Sequence, residues 1–367
     1  MARNDKIFWC NHCLAMSTRP RIEFDSAGKC NACVWSEEKK DVDWNKRKHE
    51  FEDLLKKHRN DTPYDILIPV SGGKDGSYVS HTLRDKFGLN PLCCTVHPPL
   101  RTELGYRNLE NFKKANFPLI EINLPQNTAR RLNKWGFVNQ GRPLYAWTTA
   151  IFTAVARVAV NFGITLIMYG EDGEIEYGGS TVSKNKATFE PDFIKNTYLE
   201  GRFDDTFADL GEDEKYFWTF PSFQDNKVEM AHWSYFESWD PYRNYLVAKE
   251  QCGLEEATTQ NSGTYTNFAQ NDDFLYDLHT HLMYLKFGFG RANQDASIDI
   301  RRGAMTRDQA VQLTKLYDNE LPSTYLSRYL HYFDMTEHEF SSVIDNWADR
   351  SLFKKENNQW KPTFEIL

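Results

Sequence analysis

Short apolar runs alternate with longer helix-forming stretches between residues 62 and 240. The apolar runs predict strands at 64–70, 92–96, 119–122 and 164–169, with 229–236 as a fifth strand and 216–220 as its alternative. Helices are predicted between them at 78–87, 103–115 and 144–162. Because strands that alternate with helices form parallel crossovers, the pattern predicts a doubly wound parallel α/β sheet. Such sheets bind ligands beyond the carboxyl ends of their strands.

The flanking regions differ from this central α/β pattern. The stretch 42–59 is charged and reads as a connecting helix, and the chain is mainly helical after residue 241, with helical periods at 272–285, 306–318 and 337–347. The apolar stretch 144–162 is interrupted by Arg157 and is interpreted as a buried helix rather than a membrane span. We therefore predict four units: an N-terminal cysteine module (1–41), a connecting helix (42–61), the α/β domain (62–240) and a helical C-terminal substrate region (241–367).

The composition narrows the class of protein. Hydrophobic residues make up 40% and aromatic residues 14% of the chain, enough for a packed core. The net charge of -8 and the lack of a long basic run give no electrostatic sign of a nucleic-acid partner. The first six residues lack an apolar segment, so we expect no secretory signal and a cytoplasmic protein.

Four of the seven cysteines form two Cys-x2-Cys pairs near the N-terminus. Cys10 and Cys13 are separated from Cys30 and Cys33 by 16 residues, a spacing typical of zinc knuckles. Two disulfides are the alternative, but cytoplasmic thiols stay reduced. The spacing predicts a structural Zn²⁺ with four cysteine ligands and no open coordination position. 

A glycine-rich turn follows the first predicted strand and precedes a helix. Glycines let backbone N–H groups approach an anion, and the helix adds its positive end, so the turn is a candidate phosphate-binding loop. It has neither the Walker spacing nor the dinucleotide-binding spacing. The candidate phosphate-binding residues are Ser71, Gly72, Gly73, Lys74, Asp75, Gly76 and Ser77, with Lys74 and Asp75 also catalytic. Either Ser71 or Ser77 could supply the hydroxyl that faces phosphate.

Four carboxylates follow the fourth predicted strand, at the edge of the sheet where a ligand is expected. Glu171 and Asp172 are the catalytic candidates, as Mg²⁺ ligands or as a general base, while Glu174 and Glu176 are candidate substrate contacts. An acidic surface turn is the alternative reading.

Other candidate substrate contacts lie further along the chain. Arginine side chains suit the phosphate or carboxylate groups of a ligand and aspartate side chains suit its hydroxyls, although a solvated loop with local ion pairs is an alternative. Aromatic residues between 233 and 242 suit either stacking on a ligand or core packing. The charged candidates are Lys184, Lys186, Arg291, Asp295, Asp299 and Arg301, and the aromatic ones are Trp233, Tyr235, Trp239 and Tyr242.

Two sets of motifs resemble known families. The run Ser-Gly-Gly-Lys-Asp followed by Ser resembles the PP-loop of the ATP pyrophosphatases, a superfamily that includes GMP synthetase, asparagine synthetase and tRNA-thiolating enzymes. That family places Ser directly after Asp, whereas this chain inserts Gly76. The segments 169–179, 286–291 and 296–303 resemble the N-acetyl sugar amidotransferases of surface-polysaccharide and lipopolysaccharide O-antigen synthesis. This resemblance runs from the cysteine pairs to about residue 318.

The resemblance implies a PP-loop (HUP-like) fold and a specific ligase reaction. The reaction would convert an acetamido group, expected on a nucleotide-sugar, into an acetamidino group. ATP would be consumed to form an O-adenylyl imidate, which ammonia then attacks, and Mg²⁺ would be bound in the site. The chain has no recognisable glutaminase nucleophile, so the resemblance implies ammonia from a separate glutaminase subunit like that of imidazole-glycerol-phosphate synthase.

A PP-loop tRNA thiolase is the alternative enzyme. Its chemistry needs a reactive or cluster-binding cysteine near the loop, and this chain offers only Cys93, Cys94 and Cys252. Adjacent cysteines at the end of a buried strand are more often packing residues. A non-catalytic zinc-ribbon adaptor would leave the phosphate loop without a purpose.

Overall fold

A five-stranded parallel sheet forms the centre of the molecule. The computed structural model describes residues 7–59, 61–200, 207, 210–223, 228–318, 320–357 and 359–366. The strands are β1 (Ile66–Pro69), β2 (Pro91–Val96), β3 (Leu119–Ile122), β4 (Leu166–Tyr169) and β5 (Glu229–His232), in the order β3-β2-β1-β4-β5. All neighbouring strands pair in parallel, which confirms the doubly wound α/β sheet. The strand order reverses between β1 and β4, so their carboxyl ends border the crevice where such sheets bind ligands.

Fourteen labelled helices surround the sheet or extend beyond it within the described residues. Short helical turns also occur at Pro191–Phe193, Ile194–Tyr198, Glu212–Lys215, Tyr216–Trp218 and Ser323–Tyr325. The helices are α1 (Asn31–Glu38), α2 (Trp44–His58), α3 (Lys74–Phe87), α4 (Glu103–Lys114), α5 (Gln126–Gln140), α6 (Tyr145–Asn161), α7 (Gly173–Tyr177), α8 (Trp233–Phe236), α9 (Pro241–Cys252), α10 (Leu275–Phe287), α11 (Arg291–Arg301), α12 (Arg307–Tyr317), α13 (Leu326–Phe333) and α14 (Glu337–Trp347).

Several predicted elements differ from the structure. Helix α3 begins at Lys74 rather than at 78, because extended Gly73 caps it and the glycine-rich turn runs directly into its first turn. Helix α5 and an antiparallel hairpin, β6 (Phe353–Glu356) with β7 (Gln359–Pro362), were not predicted. The hairpin lacks the alternating apolar pattern because most of its side chains face solvent.

Helix α6 is buried along most of its length, as predicted from its apolar sequence. Its one charged residue, Arg157, donates to the carbonyl and the hydroxyl of Thr219, at 3.0 and 2.8 Å. Among the helices of the described residues, none is both long and apolar enough to cross a membrane. Residues 1–6, on which the prediction of no secretory signal rests, lie outside the described residues.

The cysteine module packs against the C-terminal helices. Its buried cysteines share a core cluster with Ala296 and Ile300 of α11 and with Ala310 and Val311 of α12. Asn293 Nδ2 of α11 also donates to the Leu14 carbonyl at 2.9 Å. The first and last parts of the chain therefore support each other beside the sheet.

Candidate active site

The turn between β1 and α3 requires glycine for two separate reasons. Gly72 has a φ of +81°, and a Cβ added there would lie 2.7 Å from the backbone nitrogen of Leu109 in α4. Gly73 is extended and caps α3, whose first N–H groups have no partner within the helix. The turn thus presents the positive end of a 14-residue helix to the carboxyl edge of the sheet.

Gly76 explains the departure from the usual PP-loop pattern. A Cβ at Gly76 would lie 2.9 Å from the carbonyl oxygen of Pro69 and 3.1 Å from Cα of Val70, so α3 packs directly on the end of β1 here. Ser77 is consequently fully buried, and it lies outside the cavity described next, whereas Ser71 lines that cavity. The geometry therefore favours Ser71 as the hydroxyl that faces a ligand, and Ser77 is a packing residue.

A cavity of about 850 Å³ opens at the carboxyl ends of β1 and β4. One wall is the turn with the end of β4, a second is a face of α10, and a third is a face of α11. The sequence-predicted residues that line it are Ser71, Gly73, Lys74, Asp75, Gly76, Glu171, Arg291, Asp295 and Asp299. Those outside its lining are Gly72, Ser77, Asp172, Glu174, Glu176, Lys184, Lys186 and Arg301.

Lys74, Asp75 and Glu171 form the charged centre of the cavity. Lys74 Nζ forms an ion pair with Asp75 Oδ2. Burial opposes the charge on Lys74, but the carboxylates of Asp75 and Glu171 outweigh it and raise the pKa of Lys74. Burial, together with the charge of Asp75, raises the pKa of Glu171 to about 8. The centre thus combines a fixed cation with a carboxyl group that holds its proton more tightly than usual.

The Asp75 side chain is fixed by neighbours from a distant part of the chain. Its Oδ1 accepts hydrogen bonds from Trp239 Nε1 at 2.9 Å and from Asn244 Nδ2 at 2.8 Å. A Cβ at Gly170 would lie 2.8 Å from Cβ of Asp75, so the backbone after β4 approaches this side chain closely. These contacts orient Asp75 before any ligand binds.

The α11 wall carries charged side chains at helical spacing. Arg291, Asp295, Asp299 and Arg302 recur every three or four residues and all line the cavity. Asp295 accepts from Thr264 Oγ1 at 2.6 Å, and Arg291 Nη2 donates to the Ala269 carbonyl at 3.0 Å. The wall is ordered by the loop before α10 and offers both donors and acceptors to a ligand.

The predicted acidic cluster is divided by the fold, and only Glu171 faces the cavity. Asp172 caps α7 by accepting from the backbone N–H of Glu174 at 3.0 Å, and it also accepts from the hydroxyls of Ser183 and Tyr198. In this structure Asp172 holds the turn and lies outside the cavity lining, and its predicted catalytic role stays a prediction.

Glu174 and Glu176 contact the cysteine module instead of a substrate. Glu174 accepts two hydrogen bonds from Arg21, at 2.8 and 2.7 Å. Glu176 pairs with Lys39 at 2.5 Å and accepts from Trp35 Nε1 at 3.1 Å. Both glutamates are buried, so their charges neutralise cations that dock the module onto α7.

Three predicted basic contacts also lie away from the cavity. Lys184 pairs with Glu38 of α1, and Lys186 is exposed. Arg301 donates to the Glu176 carbonyl at 2.9 Å. Burial opposes its charge, but the negative charge of Cys13 and Cys33 raises the pKa of Arg301. Arg301 therefore lies beside the cysteine cluster and outside the cavity lining, and its predicted contact with the substrate stays a prediction.

Of the four predicted aromatic residues between 233 and 242, two reach the site and two pack elsewhere. Trp239 and Tyr242 reach the site, the first through Asp75 and the second as part of the cavity wall. Trp233 packs edge-on against Phe51 at 5.1 Å between ring centroids, so it belongs to the core. Tyr235 is covered by the guanidinium of Arg47 at 4.1 Å.

Several cavity residues had no sequence signal. Tyr177, the last residue of α7, lines the cavity, and so does Asp272 from the loop before α10. Burial raises the pKa of Asp272 to about 6, and it lowers the pKa of His279, which also lines the cavity, to about 4. Tyr276, His279 and Met283 have the spacing of one face of α10, which could have indicated that they line the cavity together. The side chains of a helix face packed in the core have the same spacing, so the pattern does not distinguish the two.

The four N-terminal cysteines form a metal-binding constellation. All four Sγ atoms lie within 4.8 Å of one another, with Cys10 and Cys33 3.7 Å apart and Cys13 and Cys30 3.6 Å apart. A tetrahedral zinc with Zn–S bonds of about 2.3 Å needs sulfur pairs about 3.8 Å apart. The backbone N–H of Cys30 also points at Cys10 Sγ at 3.2 Å. The arrangement fits a closed four-thiolate metal site.

The remaining cysteines are structural rather than reactive. Cys94 lines the cavity but is buried, and burial raises the pKa of Cys94 to about 12. Burial raises the pKa of Cys93 to about 12 as well. Because the thiolate is the nucleophile, neither side chain is prepared for sulfur chemistry.

Comparison with known proteins identifies the C-terminal part of the chain. Residues 262–366 match the family model described as "LPS biosynthesis protein WbpG-like, C-terminal domain". This segment is similar to that C-terminal domain, and the match covers less than half of the chain. The match confirms the predicted resemblance to a lipopolysaccharide-synthesis family, and it includes α10 and α11, two walls of the cavity.

A solved structure with some similarity is that of the U34-tRNA thiolase NcsA from Methanococcus maripaludis with its [4Fe-4S] cluster. It is 13% identical, the alignment covers 81% of this chain and 86% of that chain, and the TM-score is 0.33. We draw no conclusion about the reaction from a likeness of this size. No curated protein matches the chain.

Proposed function

We propose that this protein is an ATP-dependent amidotransferase that converts an acetamido group on a nucleotide-sugar into an acetamidino group. One observation carries the proposal: a single cavity is lined both by a PP-loop-like turn and by α11 of a WbpG-like domain. This reaction requires a binding site for the phosphates of ATP next to a binding site for the sugar substrate, and the turn and α11 are suited to these two roles.

The turn residues suit the triphosphate of ATP. The backbone N–H groups at Gly73 and the start of α3, the Ser71 hydroxyl and Lys74 donate to phosphate oxygens. Lys74 then exchanges its pairing with Asp75 for a pairing with phosphate. The freed Asp75 carboxylate, still held by Trp239 and Asn244, is a suitable oxygen ligand for Mg²⁺, which neutralises phosphate charge when bound.

ATP is needed because an amide oxygen is a poor leaving group. The acetamido oxygen attacks the α-phosphorus of ATP, pyrophosphate leaves, and the amide N–H proton is lost to give an O-adenylyl imidate. Ammonia adds to the imidate carbon, and AMP leaves with the former amide oxygen. Glu171, at the carboxyl end of β4, accepts the proton that the added nitrogen loses.

The α11 wall binds the sugar substrate. Asp295 and Asp299 accept hydrogen bonds from sugar hydroxyls, and Arg291 and Arg302 approach the anionic part of the nucleotide. Each of these side chains already has a partner on the loop before α10 or on α11, so the wall is ordered before substrate binds.

Ammonia comes from a separate subunit in this proposal. Ammonium has no lone pair for attack, so neutral ammonia must be delivered to a site shielded from water. The buried cysteines with raised pKa values are poor candidates for glutaminase nucleophiles, and the other four surround the metal position. A glutaminase like that of imidazole-glycerol-phosphate synthase is the proposed partner, and the reaction is proposed to occur in the cytoplasm.

Pyrophosphate release tests the reaction. The protein is incubated with ATP and ammonium salt at alkaline pH, with either a panel of acetamido nucleotide-sugars or bulk tRNA. We expect pyrophosphate release that depends on both sugar and ammonia, and its loss in Lys74→Ala. Release that depends on tRNA and a sulfur donor instead would replace this proposal with the thiolase alternative.

A further inference from the structure

Tyr177 lies where two walls of the cavity meet. Its ring centroid is 6.0 Å from that of Trp239, whose Nε1 holds Asp75 and whose ring centroid lies 5.8 Å from Lys74 Nζ. Tyr177 and Gln294 of α11 both line the cavity, and both also line a smaller neighbouring cavity. Tyr177 therefore borders the PP-loop-like turn and the α11 wall at once.

The cysteine module fixes the position of Tyr177. Gly178 ends α7 with a φ of +89°, and a Cβ added there would lie 3.3 Å from Cβ of Ala32 in α1. The guanidinium of Arg19 lies 6.0 Å from the centroid of the Tyr177 ring. Because two ion pairs to the same module also hold α7, the ring is positioned before a ligand binds.

The hydroxyl of Tyr177 has no hydrogen-bond partner within the described part of the chain, and it is not a fully buried atom. Other tyrosines of the cavity wall differ in this respect. Tyr265 donates to Asp299 Oδ2 at 2.7 Å, and Tyr245 donates to Glu256 Oε2 at 3.0 Å. The Tyr177 hydroxyl is therefore available to a molecule in the cavity.

Two more tyrosines of the cavity wall have a hydroxyl without a partner among the described residues, but they lie elsewhere. Tyr242 is 43% exposed. Tyr276 packs edge-on against Trp147, at 5.9 Å between ring centroids. Of the three, Tyr177 is the one whose ring contacts Trp239 beside the turn.

The Tyr177 hydroxyl keeps its proton in this position. Burial, together with the charge of Glu171, raises the pKa of Tyr177, although the charge of Lys74 opposes the shift. A protonated hydroxyl can donate one hydrogen bond and accept another. Lys74 can only donate, and an ionised carboxylate can only accept.

In the proposed reaction, the acetamido nitrogen changes from a hydrogen-bond donor into an acceptor. The amide nitrogen carries a proton and donates, whereas the imidate nitrogen has lost that proton and accepts through its lone pair. A hydroxyl suits both states, because rotation about its C–O bond exchanges its roles. The acetamido group must also lie between the phosphates at the turn and the sugar at α11, and Tyr177 borders both.

We propose that Tyr177 is a catalytic residue whose hydroxyl binds the acetamido nitrogen of the substrate, accepting from its N–H before adenylation and donating to its lone pair in the imidate. This role rests on the proposed function. Tyr177 keeps its own proton throughout, so the proton balance of the reaction is unchanged.

Binding by Tyr177→Phe tests this role without turnover. The probes are the acetamido nucleotide-sugar that supports pyrophosphate release and its analogue with an acetate ester in place of the acetamide, which has no N–H. Calorimetry measures both affinities in the presence of α,β-methylene-ATP, which cannot release pyrophosphate. Tyr245→Phe is the matched control, because it removes a cavity hydroxyl that already has a protein partner.

We expect the preference for the amide over the ester to be about fivefold smaller in Tyr177→Phe than in the wild type or in Tyr245→Phe, the effect of losing one neutral hydrogen bond. In turnover, kcat should fall by a larger factor than the KM of the sugar rises, because the hydrogen bond to the imidate nitrogen forms only after adenylation. The melting temperature of Tyr177→Phe should match that of the wild type, since its hydroxyl has no protein partner.

An equal preference for the amide in Tyr177→Phe and in the wild type would overturn the role. Weaker binding of α,β-methylene-ATP with an unchanged preference would assign the hydroxyl to phosphate, and it would overturn the role as well. If no acetamido nucleotide-sugar supported pyrophosphate release, the proposed function would fail and this role with it. If the sugar were converted but Tyr177→Phe changed nothing, only the role of Tyr177 would fail, so the two failures can be told apart.

Discussion

Arg21 and Glu174 form a two-pronged ion pair, with Arg21 Nε and Nη2 donating to the two carboxylate oxygens at 2.8 and 2.7 Å. This contact joins the cysteine module to α7, only three residues from the carboxylate that faces the cavity. One short acidic segment therefore has two functions: Glu171 belongs to the candidate active site, and Glu174 belongs to an interface within the chain.

The two glutamates should respond differently to the same substitution. Glu171→Gln should abolish amidine formation with little change in melting temperature, because it removes a carboxyl group from the cavity. Glu174→Gln should keep turnover but lower the free energy of unfolding by about 1–3 kcal/mol, since Arg21 loses its charged partner. Thermal unfolding and pyrophosphate assays of both variants check this. If both variants lost activity equally and neither was destabilised, the separate roles of Glu171 and Glu174 would be contradicted.

Zinc should be bound once per chain and should matter for stability before it matters for chemistry. Metal analysis of the purified protein should give about one equivalent, and Cys30→Ser should lose the metal and lower the melting temperature. Cys252→Ala, which alters a buried cysteine beneath α3, should keep the metal and serves as the control. A full zinc equivalent in Cys30→Ser would show that the metal is bound elsewhere.

Gly76→Ser would restore the usual PP-loop pattern, yet it should damage this protein. The new Cβ would approach the Pro69 carbonyl to 2.9 Å, so either β1 or α3 must move, at a cost of about 1–3 kcal/mol. Gly73→Ala is the control for stability, because its Cβ meets only the hydroxyl of Ser71, at 3.1 Å. Denaturant unfolding compares the two. A Gly76→Ser protein as stable as the wild type would refute the close packing of α3 on β1.

Asp318 should make stability depend on pH. It accepts from the backbone N–H groups of Gly290 and Asn293 at 2.8 and 3.0 Å, and burial raises the pKa of Asp318 to about 7. Its folded pKa thus lies above its value of about 4 in an unfolded chain. The folded state binds the proton more tightly, so its contribution is complete below about pH 4 and is lost as the pH rises to about 7.

Asp318→Asn should flatten that dependence. The free energy of unfolding measured at several pH values from 4 to 8 should fall less steeply with pH in the variant, even though the lost acceptor lowers its overall stability. An unchanged slope would mean that Asp318 titrates normally in the folded protein.

The glycine-rich turn was predictable because its signal is local. Three glycines, a lysine and an aspartate between an apolar strand and a helix leave few other structures, and the structure confirms the strand, the turn and the parallel sheet around them. Sequence could not show which acidic residue faces the ligand. The partners of Glu174 and Glu176 are Arg21 and Lys39, which lie more than 130 residues earlier in the chain.

The position of Arg301 could not be predicted for the same reason. Arg291 and Arg301 lie on one helix in one motif, but ten residues separate them and place them on different sides of the packed helix. Arg291 faces the cavity, whereas Arg301 faces the cysteine module. Asn244, which holds Asp75, could not be found either, because polar contacts between distant segments leave no periodic pattern. Trp239 is a candidate for stacking on a ligand, but its contact with Asp75 had no sequence signal.

The fate of the acetamido oxygen tests the central claim most directly. An acetamido nucleotide-sugar labelled with ¹⁸O in the acetamido carbonyl is converted with ATP and ammonia, and AMP is analysed by mass spectrometry. The account predicts that the label appears in AMP and that the sugar product has lost it, because the amide oxygen leaves as part of the adenylate. Amidine formation with unlabelled AMP would contradict adenylation of the amide oxygen and, with it, the proposed use of the phosphate turn.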